Sequence, residues 1–356
     1  MSTRYGGWIY IFCFLLVSGF ARRNGPAGQS GPPVSVPAVS AARLMTLDVV
    51  VTDKSGKPVS GLEQRDFTLL DNKQPREIVS FHAVEAGAAA ADPPVEVVLL
   101  VDTINNTSFK DVAFERSEIE KFLRRNGGAL AQPVSMVVFS DSGVTGATPF
   151  RDGNAVIADL NRKLDPHTFN RAQGDYDPYE RIQVSLGVLQ KLADYEAARP
   201  GRKLVIWISP GWPYLFFDSN RQEQEPFGTI VAVSDGLRRA RITLYNIDPL
   251  GVADAGSLRT SDYRRYLKAA KTAEHASYGN LALQVLASQS GGRVLNSGND
   301  VAGEIAACVA DASGFYVLSF DGHPGDGPNE YHALEIHIGK PGLTARTRSG
   351  YYAQPE

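Results

Sequence analysis

Asp102 follows a largely apolar run at 95–101 (VEVVLLV) and opens a polar loop, Thr103-Ile104-Asn105-Asn106-Thr107-Ser108. Such a run suits a strand covered on both faces, and in an open α/β sheet ligands gather beyond the carboxyl ends of the strands. Asp102 is therefore the first candidate for a ligand contact. Its competing role is to accept hydrogen bonds from backbone N–H groups of its own loop and of the helix start that follows. Catalytic chemistries fail at the same place. Ile104 stands where a phosphoaspartyl hydrolase needs a second Asp as general acid. No glycine lies between Val101 and Ser108, which excludes a dinucleotide-binding turn, and the chain has neither a Walker loop nor a Gly-x-Ser-x-Gly elbow. The six histidines are scattered, and His332 and His337 fall on opposite faces of one strand-like stretch. The sequons that begin at Asn105 and Asn106 are expected chance matches in so polar a loop.

Two other loops carry a different signal. Residues 211–217 place Trp212, Tyr214, Phe216 and Phe217 close together, and 249–275 carry Arg259, Arg264, Arg265, Lys268 and Lys271. Aromatics and arginines are what protein-binding surfaces concentrate. Both loops should emerge on the edge that holds Asp102, giving an expected ligand-binding rim of Asn105, Ser209, Trp212, Tyr214, Phe216, Phe217, Arg264 and Arg265. The alternative is that the aromatics form a lid and the basic run is a solvated helix face.

The elements that must position these residues follow from the pattern. Strand-like pieces at 44–52, 66–71 and 76–85 come first. Strands at 95–101, 133–139, 203–208, 241–247 and 292–295 then alternate with helices at 110–125, 153–164, 178–197, 229–239, 276–290 and 299–311. Strands return at 314–320, 331–338 and 343–347. Alternation with short connections predicts a doubly wound, mostly parallel sheet, while the two β flanks are each too small to stand alone. The expected fold class is α/β: one such sheet over 95–312, inserted into an antiparallel β-sandwich split between 43–86 and 313–352.

Charge and composition exclude other classes. With 36 Lys plus Arg against 39 Asp plus Glu and a formal net charge of -3, no nucleic-acid partner is expected. A 43% hydrophobic content excludes global disorder. Two cysteines, Cys13 and Cys308, exclude a disulfide scaffold and a Cys-based zinc site. Residues 8–20 (WIYIFCFLLVSGF) are long enough for a signal-peptide core and short for a membrane span, so 1–21 read as a signal peptide, or as a retained membrane tether if uncleaved. Residues 22–42, rich in Pro, Gly, Ser and Ala, read as a flexible linker. The protein is expected to be exported: periplasmic, secreted or in the cell envelope.

The strand that ends in Asp102, the order of later elements and KLVIWISPG at 203–211 resemble the von Willebrand factor type A (VWA) domain. The flanks, LDVVVTDKSGKPVSGLEQRDFTLLDNKQPREIVSF and FYVLSF with ALEIHIGKPGLTARTRSGYY, are similar to those of a bacterial VWFA-related family named for acidobacteria. This resemblance covers about 43–352. It implies a metal-ion-dependent adhesion site in which Asp-x-Ser-x-Ser, a Thr and an Asp on three loops hold Mg²⁺. The sequence departs from that pattern: Ile104 replaces the first Ser, Asn106 takes the second, and Pro210 stands where Asp is expected. Asp102, Asn106, Asp175 and Asp177 are what remains of a ligand set, so Mg²⁺ is disfavoured and no cofactor is expected. The function implied is a non-catalytic adhesion module for a protein or cell-envelope ligand, with a silent structural or assembly role as the alternative and hydrolysis as the remotest.

Overall fold

The computed structural model describes residues 43–85, 95–106, 109–140, 143–164, 176–213, 226–249, 263–296 and 298–356. The expected signal peptide and linker lie outside them. The chain enters on β1 (Leu44–Thr52), where Met45, Leu47, Val49 and Val51 alternate into one core. β2 (Phe67–Asp71) and β3 (Gln74–Arg76) form a hairpin whose two turn residues, Asn72 and Lys73, both have positive φ (48° and 67°), the backbone twist that matches the twist of paired strands. The strand expected over 76–85 is two pieces. Ile78 turns inward with its carbonyl accepting from Gln64 Nε2 (2.9 Å), and β4 (Ser80–Val84) begins only after this break.

The α/β part then runs β5 (Val95–Asp102), α1 (Phe109–Leu123), β6 (Ala129–Ser140), β7 (Gly143–Val144), β8 (Pro149–Asp152), α2 (Gly153–Lys163), α3 (Pro178–Ala197), β9 (Arg202–Ile208), α4 (Phe227–Arg239), β10 (Ile242–Ile247), α5 (Leu283–Gln289), β11 (Val294–Leu295) and α6 (Val301–Ala310). The sheet order is β11-β10-β9-β5-β6-β7, with β8 also on β6. The β11-β10, β10-β9, β9-β5 and β5-β6 pairs are parallel, and β7 and β8 are antiparallel to β6. From β5 the chain winds one way to β6 and the other way to β9, β10 and β11, so the order reverses between β5 and β9. α1, α2 and α6 cover one face and α3, α4 and α5 the other, each over its own apolar cluster. Cys308 is buried in the first, and burial pushes its thiol up, away from reactivity. The helix expected over 276–290 is shorter. Ser277 and Asn280 cap each other across a 3₁₀ turn at Tyr278–Leu281, and α-helix resumes only at Leu283.

β12 (Phe315–Asp321), β13 (Glu330–Ile338), β14 (Thr344–Arg346) and β15 (Gly350–Ala353) complete two four-stranded sheets, β14-β1-β12-β4 and β15-β13-β2-β3. Each sheet takes strands from both flanks, so neither flank closes a core alone. Tyr316 sits at its centre, tilted against Phe67 (4.9 Å between centroids), with its hydroxyl accepting from Leu62 N–H and donating to the Val59 carbonyl. The fold class is thus a mostly parallel α/β sheet joined to separate antiparallel sheets. Contacts between the two gather at the amino ends of β9 and β10 and along α4. Arg241 pairs with Asp48 (2.5 Å), Arg346 with Asp311 (2.5 Å), and Phe227 meets Tyr352 edge-on (5.8 Å). The loop after β5 is bonded instead to β6, α1, α3 and β9.

Candidate functional site

At the reversal point β5 ends in Asp102, which is fully buried. Its Oδ1 accepts from the backbone N–H of Ile104 (3.0 Å) and Asn105 (2.9 Å). Its Oδ2 accepts from Asn105 Nδ2 (2.8 Å) and from the indole Nε1 of Trp207 on β9 (2.9 Å). Adjacency makes the last bond possible, because the parallel register sets Leu100 of β5 beside Trp207. Burial pushes the Asp102 carboxyl up, and the donors from Asn105, Trp207 and Ile104 pull it back toward the ionised form. Asn105 Nδ2 reaches on to Ser185 Oγ of α3 (2.9 Å), Asn106 Nδ2 donates to Glu115 of α1 (2.5 Å), and Arg181 of α3 donates to the Ile104 carbonyl (2.7 Å). The loop is stitched to elements on both faces.

This arrangement tests the ion that the VWA resemblance implies. An ionised carboxylate has about four lone-pair sites, and Asp102 spends them on four donors. Ile104 is buried and apolar, and Pro210 has no side-chain oxygen. Among the described residues of this loop, the buried side-chain acceptors without a partner, Asn105 Oδ1 and Asn106 Oδ1, are neutral amide carbonyls. Mg²⁺ demands octahedral oxygens anchored by a carboxylate, and these residues do not fit it. Among the described residues no group of three His, Cys, Asp or Glu side chains is placed to hold a metal.

Several expected site residues sit differently. Asp177 is the N-cap of α3, its Oδ1 accepting from Glu180 N–H (2.8 Å) while Glu180 reaches back to Asp177 N–H, so its carboxylate serves a capping box. Asp175, Tyr214, Phe216 and Phe217 lie outside the described residues. Asn105 and Ser209, expected on the rim, are buried, with Ser209 Oγ accepting from Gly211 N–H (3.0 Å). Gly211 has φ +82°, and a Cβ there would meet Gln284 at 3.0 Å, so the Ser-Pro-Gly turn needs glycine at its end. Trp212 takes the second of its two expected places, in a lid rather than on the rim. It is 2% exposed, packs edge-on against Trp207 (5.5 Å) and donates to the Leu281 carbonyl (3.0 Å), so it roofs the site rather than offering a contact. Trp212→Ala should therefore cost about 3–5 kcal/mol of stability, read as a lowered midpoint in urea unfolding; a surface role would leave the midpoint in place. Arg264 and Arg265 are exposed, on a 3₁₀ turn at Tyr263–Tyr266 held by Asn280 Nδ2 donating to the Tyr266 carbonyl (3.1 Å).

Sequence reasoning missed Trp207, which reads as one more apolar residue in KLVIWI, and missed the carboxyls beyond β10. There Glu304 of α6 is pushed up from an ordinary 4.5 to about 7 by burial and by Asp300 and Asp248. The folded state holds this proton at pH values where the unfolded chain has lost it. The associated stability is full below about pH 4.5 and is lost as pH rises through about 7. Glu304 is only half-buried, so solvent screening leaves an effect on the order of 1–2 kcal/mol. Denaturant midpoints should fall across this window in the wild type and flatten in Glu304→Gln.

No protein-family profile matches the sequence, and no curated protein matches it. Among solved structures the chain is similar to an aerotolerance-related membrane protein from Bacteroides fragilis, at 15% identity and TM-score 0.35, over 61% of this chain and 98% of that one. It is also similar to the pilus adhesin SpaC from Lactobacillus rhamnosus GG, at 10% identity and TM-score 0.37, over 83% of this chain and about half (49%) of the adhesin. A third likeness is the SpRpn10 VWA domain, at 12% identity and TM-score 0.25, over 44% and 75% of the two chains. No helix of the described residues is long and apolar enough to cross a membrane.

Proposed function

We propose that the chain is a non-catalytic binding module of von Willebrand A type, presented outside the cytoplasm, that takes a protein or cell-envelope ligand on the loops at the carboxyl edge of its parallel sheet without a metal ion. The observation that carries this reading is the closed hydrogen-bond set of Asp102. The edge at which such sheets bind ligands is built, yet the carboxylate that ends β5, beside the reversal point, is spent on structure. Recognition then falls to the surrounding loops and to the excursion that follows β10, on which Arg264 and Lys268 are exposed. Absence of catalysis is supported by the described residues around Asp102, among which no nucleophile stands beside a base, and export by the apolar run at 8–20.

The test is capture from a cell-envelope extract by the immobilised chain, in EDTA and in Mg²⁺, compared with the variant Arg264→Glu/Lys268→Glu. Both positions are exposed, so the double variant should fold normally. Severalfold weaker capture by the variant, with EDTA making no difference, is expected. Equal capture by both proteins would remove the rim reading, and capture abolished by EDTA would remove the metal-independent one.

A further inference from the structure

The excursion that follows β10 carries cations that the fold leaves unanswered. Arg264, Arg265, Lys268 and Lys271 follow Tyr263, and no Asp or Glu occurs among them before Glu274. All four are exposed, and the side chains of Arg264, Lys268 and Lys271 have neither an ion-pair nor a hydrogen-bond partner among the described residues. Their backbone, by contrast, is pinned from beneath. Tyr263 is buried against Ala282 and Val285 at one end, and Ala270 is buried at the other. Between them Asn280 Nδ2, from the 3₁₀ turn before α5, donates to the carbonyls of Tyr266 (3.1 Å) and Lys268 (3.3 Å). Gln289 Nε2 of α5 donates to the Leu267 carbonyl (3.3 Å), and the hydroxyl of Tyr352 on β15 donates to that of Ala270 (2.8 Å). A surface loop can leave such carbonyls to water. Here side chains of three other elements take them, so the cations stand on a fixed ridge.

We propose that this ridge is the docking surface for an acidic segment of a partner protein. The inference rests on the reading of the chain as a binding module and names the chemistry of what it binds. Like charges set side by side repel until carboxylates lie over them. The chain as a whole is acidic, with 36 Lys plus Arg against 39 Asp plus Glu, so this attraction is local to the ridge. Leu267 decides what carries the carboxylates. It is 38% exposed in the midst of the cations. A protein segment brings apolar side chains to cover it, whereas a phosphate polymer brings none. The pinned backbone then lowers the cost of binding, because little of the ridge has to be ordered when the partner arrives.

The experiment measures binding of a short fluorescein-labelled peptide of Glu with interspersed Leu to the full chain, by anisotropy, beside the same peptide with Gln in place of Glu. The Glu peptide should bind and the Gln peptide should not. Arg264→Glu/Lys268→Glu should weaken binding about tenfold, and raising the ionic strength from low to physiological should weaken it severalfold. Lys54→Glu/Lys191→Glu, two exposed cations elsewhere, makes the same change in net charge and should bind as wild type does. Tyr352→Phe removes one clamp and no charge, and should weaken binding about threefold. No binding of the Glu peptide, equal binding of the Gln peptide, an equal loss in the control pair, or tighter binding of inorganic polyphosphate than of the peptide would each overturn the proposal. If capture from envelope extract still weakens with Arg264→Glu/Lys268→Glu, only the acidic-protein partner falls and the binding module stands. Capture indifferent to that variant brings down both.

Discussion

Asp311→Ala is expected to cost about 3–5 kcal/mol, because one buried carboxylate serves several partners and its loss leaves cations uncompensated. Asp311 Oδ2 accepts from Tyr245 Oη (2.8 Å) and Arg346 (2.5 Å), with Arg293 at 3.6 Å, and the residue is 1% exposed. Tyr245 lies on β10 and Arg346 on β14, so the group ties the α/β sheet to the sandwich. Burial, then the Asp311 charge, pushes the Tyr245 phenol far up, which keeps it a neutral donor at any ordinary pH. A double-mutant cycle with Arg346→Met should show a coupling of about 1–3 kcal/mol between Asp311 and Arg346. Additive losses, read from urea unfolding, would mean that each residue acts through other neighbours.

Asp102→Ala is the second large effect, at about 3 kcal/mol. Removing the carboxylate orphans the N–H groups of Ile104 and Asn105 and the Trp207 indole N–H inside the protein. Each unsatisfied buried donor costs about 1–3 kcal/mol, offset in part by loss of a buried charge and by entry of water. Asp102→Asn distinguishes this account from loss of packing. Its carbonyl oxygen can still accept from the two backbone N–H groups, while its NH₂ faces Trp207 Nε1 and Asn105 Nδ2, two donors, so an intermediate loss is expected. Added Mg²⁺ should leave the melting temperature of the wild type unchanged. A rise that Asp102→Ala abolishes would restore a metal to the site.

The contrast between these residues shows what the sequence made legible. Hydrophobic period and turn chemistry located nearly every long element, because each depends on residues near in the chain: the apolar run of β5, the alternating face of β1. The short antiparallel strands β7 and β8 escaped notice because two to four half-exposed residues carry no period. The break between β3 and β4 depends on Gln64, and the shortening of the helix before Gly291 on a reciprocal Ser277–Asn280 cap, details finer than periodicity resolves. At the site, Asp102 was found from its place at a strand end. Its chemistry was not, since Trp207 is 105 positions away and becomes a partner only through strand pairing. Trp212 left two readings open for the same reason: an aromatic in a loop reads equally as a surface contact or a lid until the second aromatic beneath it, Trp207, is found.

The split sandwich also fixes how the molecule would carry tension. Chain crossings into and out of the α/β part leave from paired positions, Val84 opposite Phe315. A pull on a captured ligand therefore reaches the sandwich at one corner, through the last residue of β4 and the first of β12. The opposing pull, from whatever precedes Arg43, enters at the first residue of β1. These strands are antiparallel, with Leu44 opposite Asp321 and Val49 opposite Tyr316, so the two forces act at opposite ends and draw the strands lengthwise past each other. In that shear geometry the rungs from Leu44 to Val49 must yield together rather than one at a time. Unfolding under force is governed by the barrier rather than by equilibrium stability, and within the sandwich the ladder between β1 and β12 sets it.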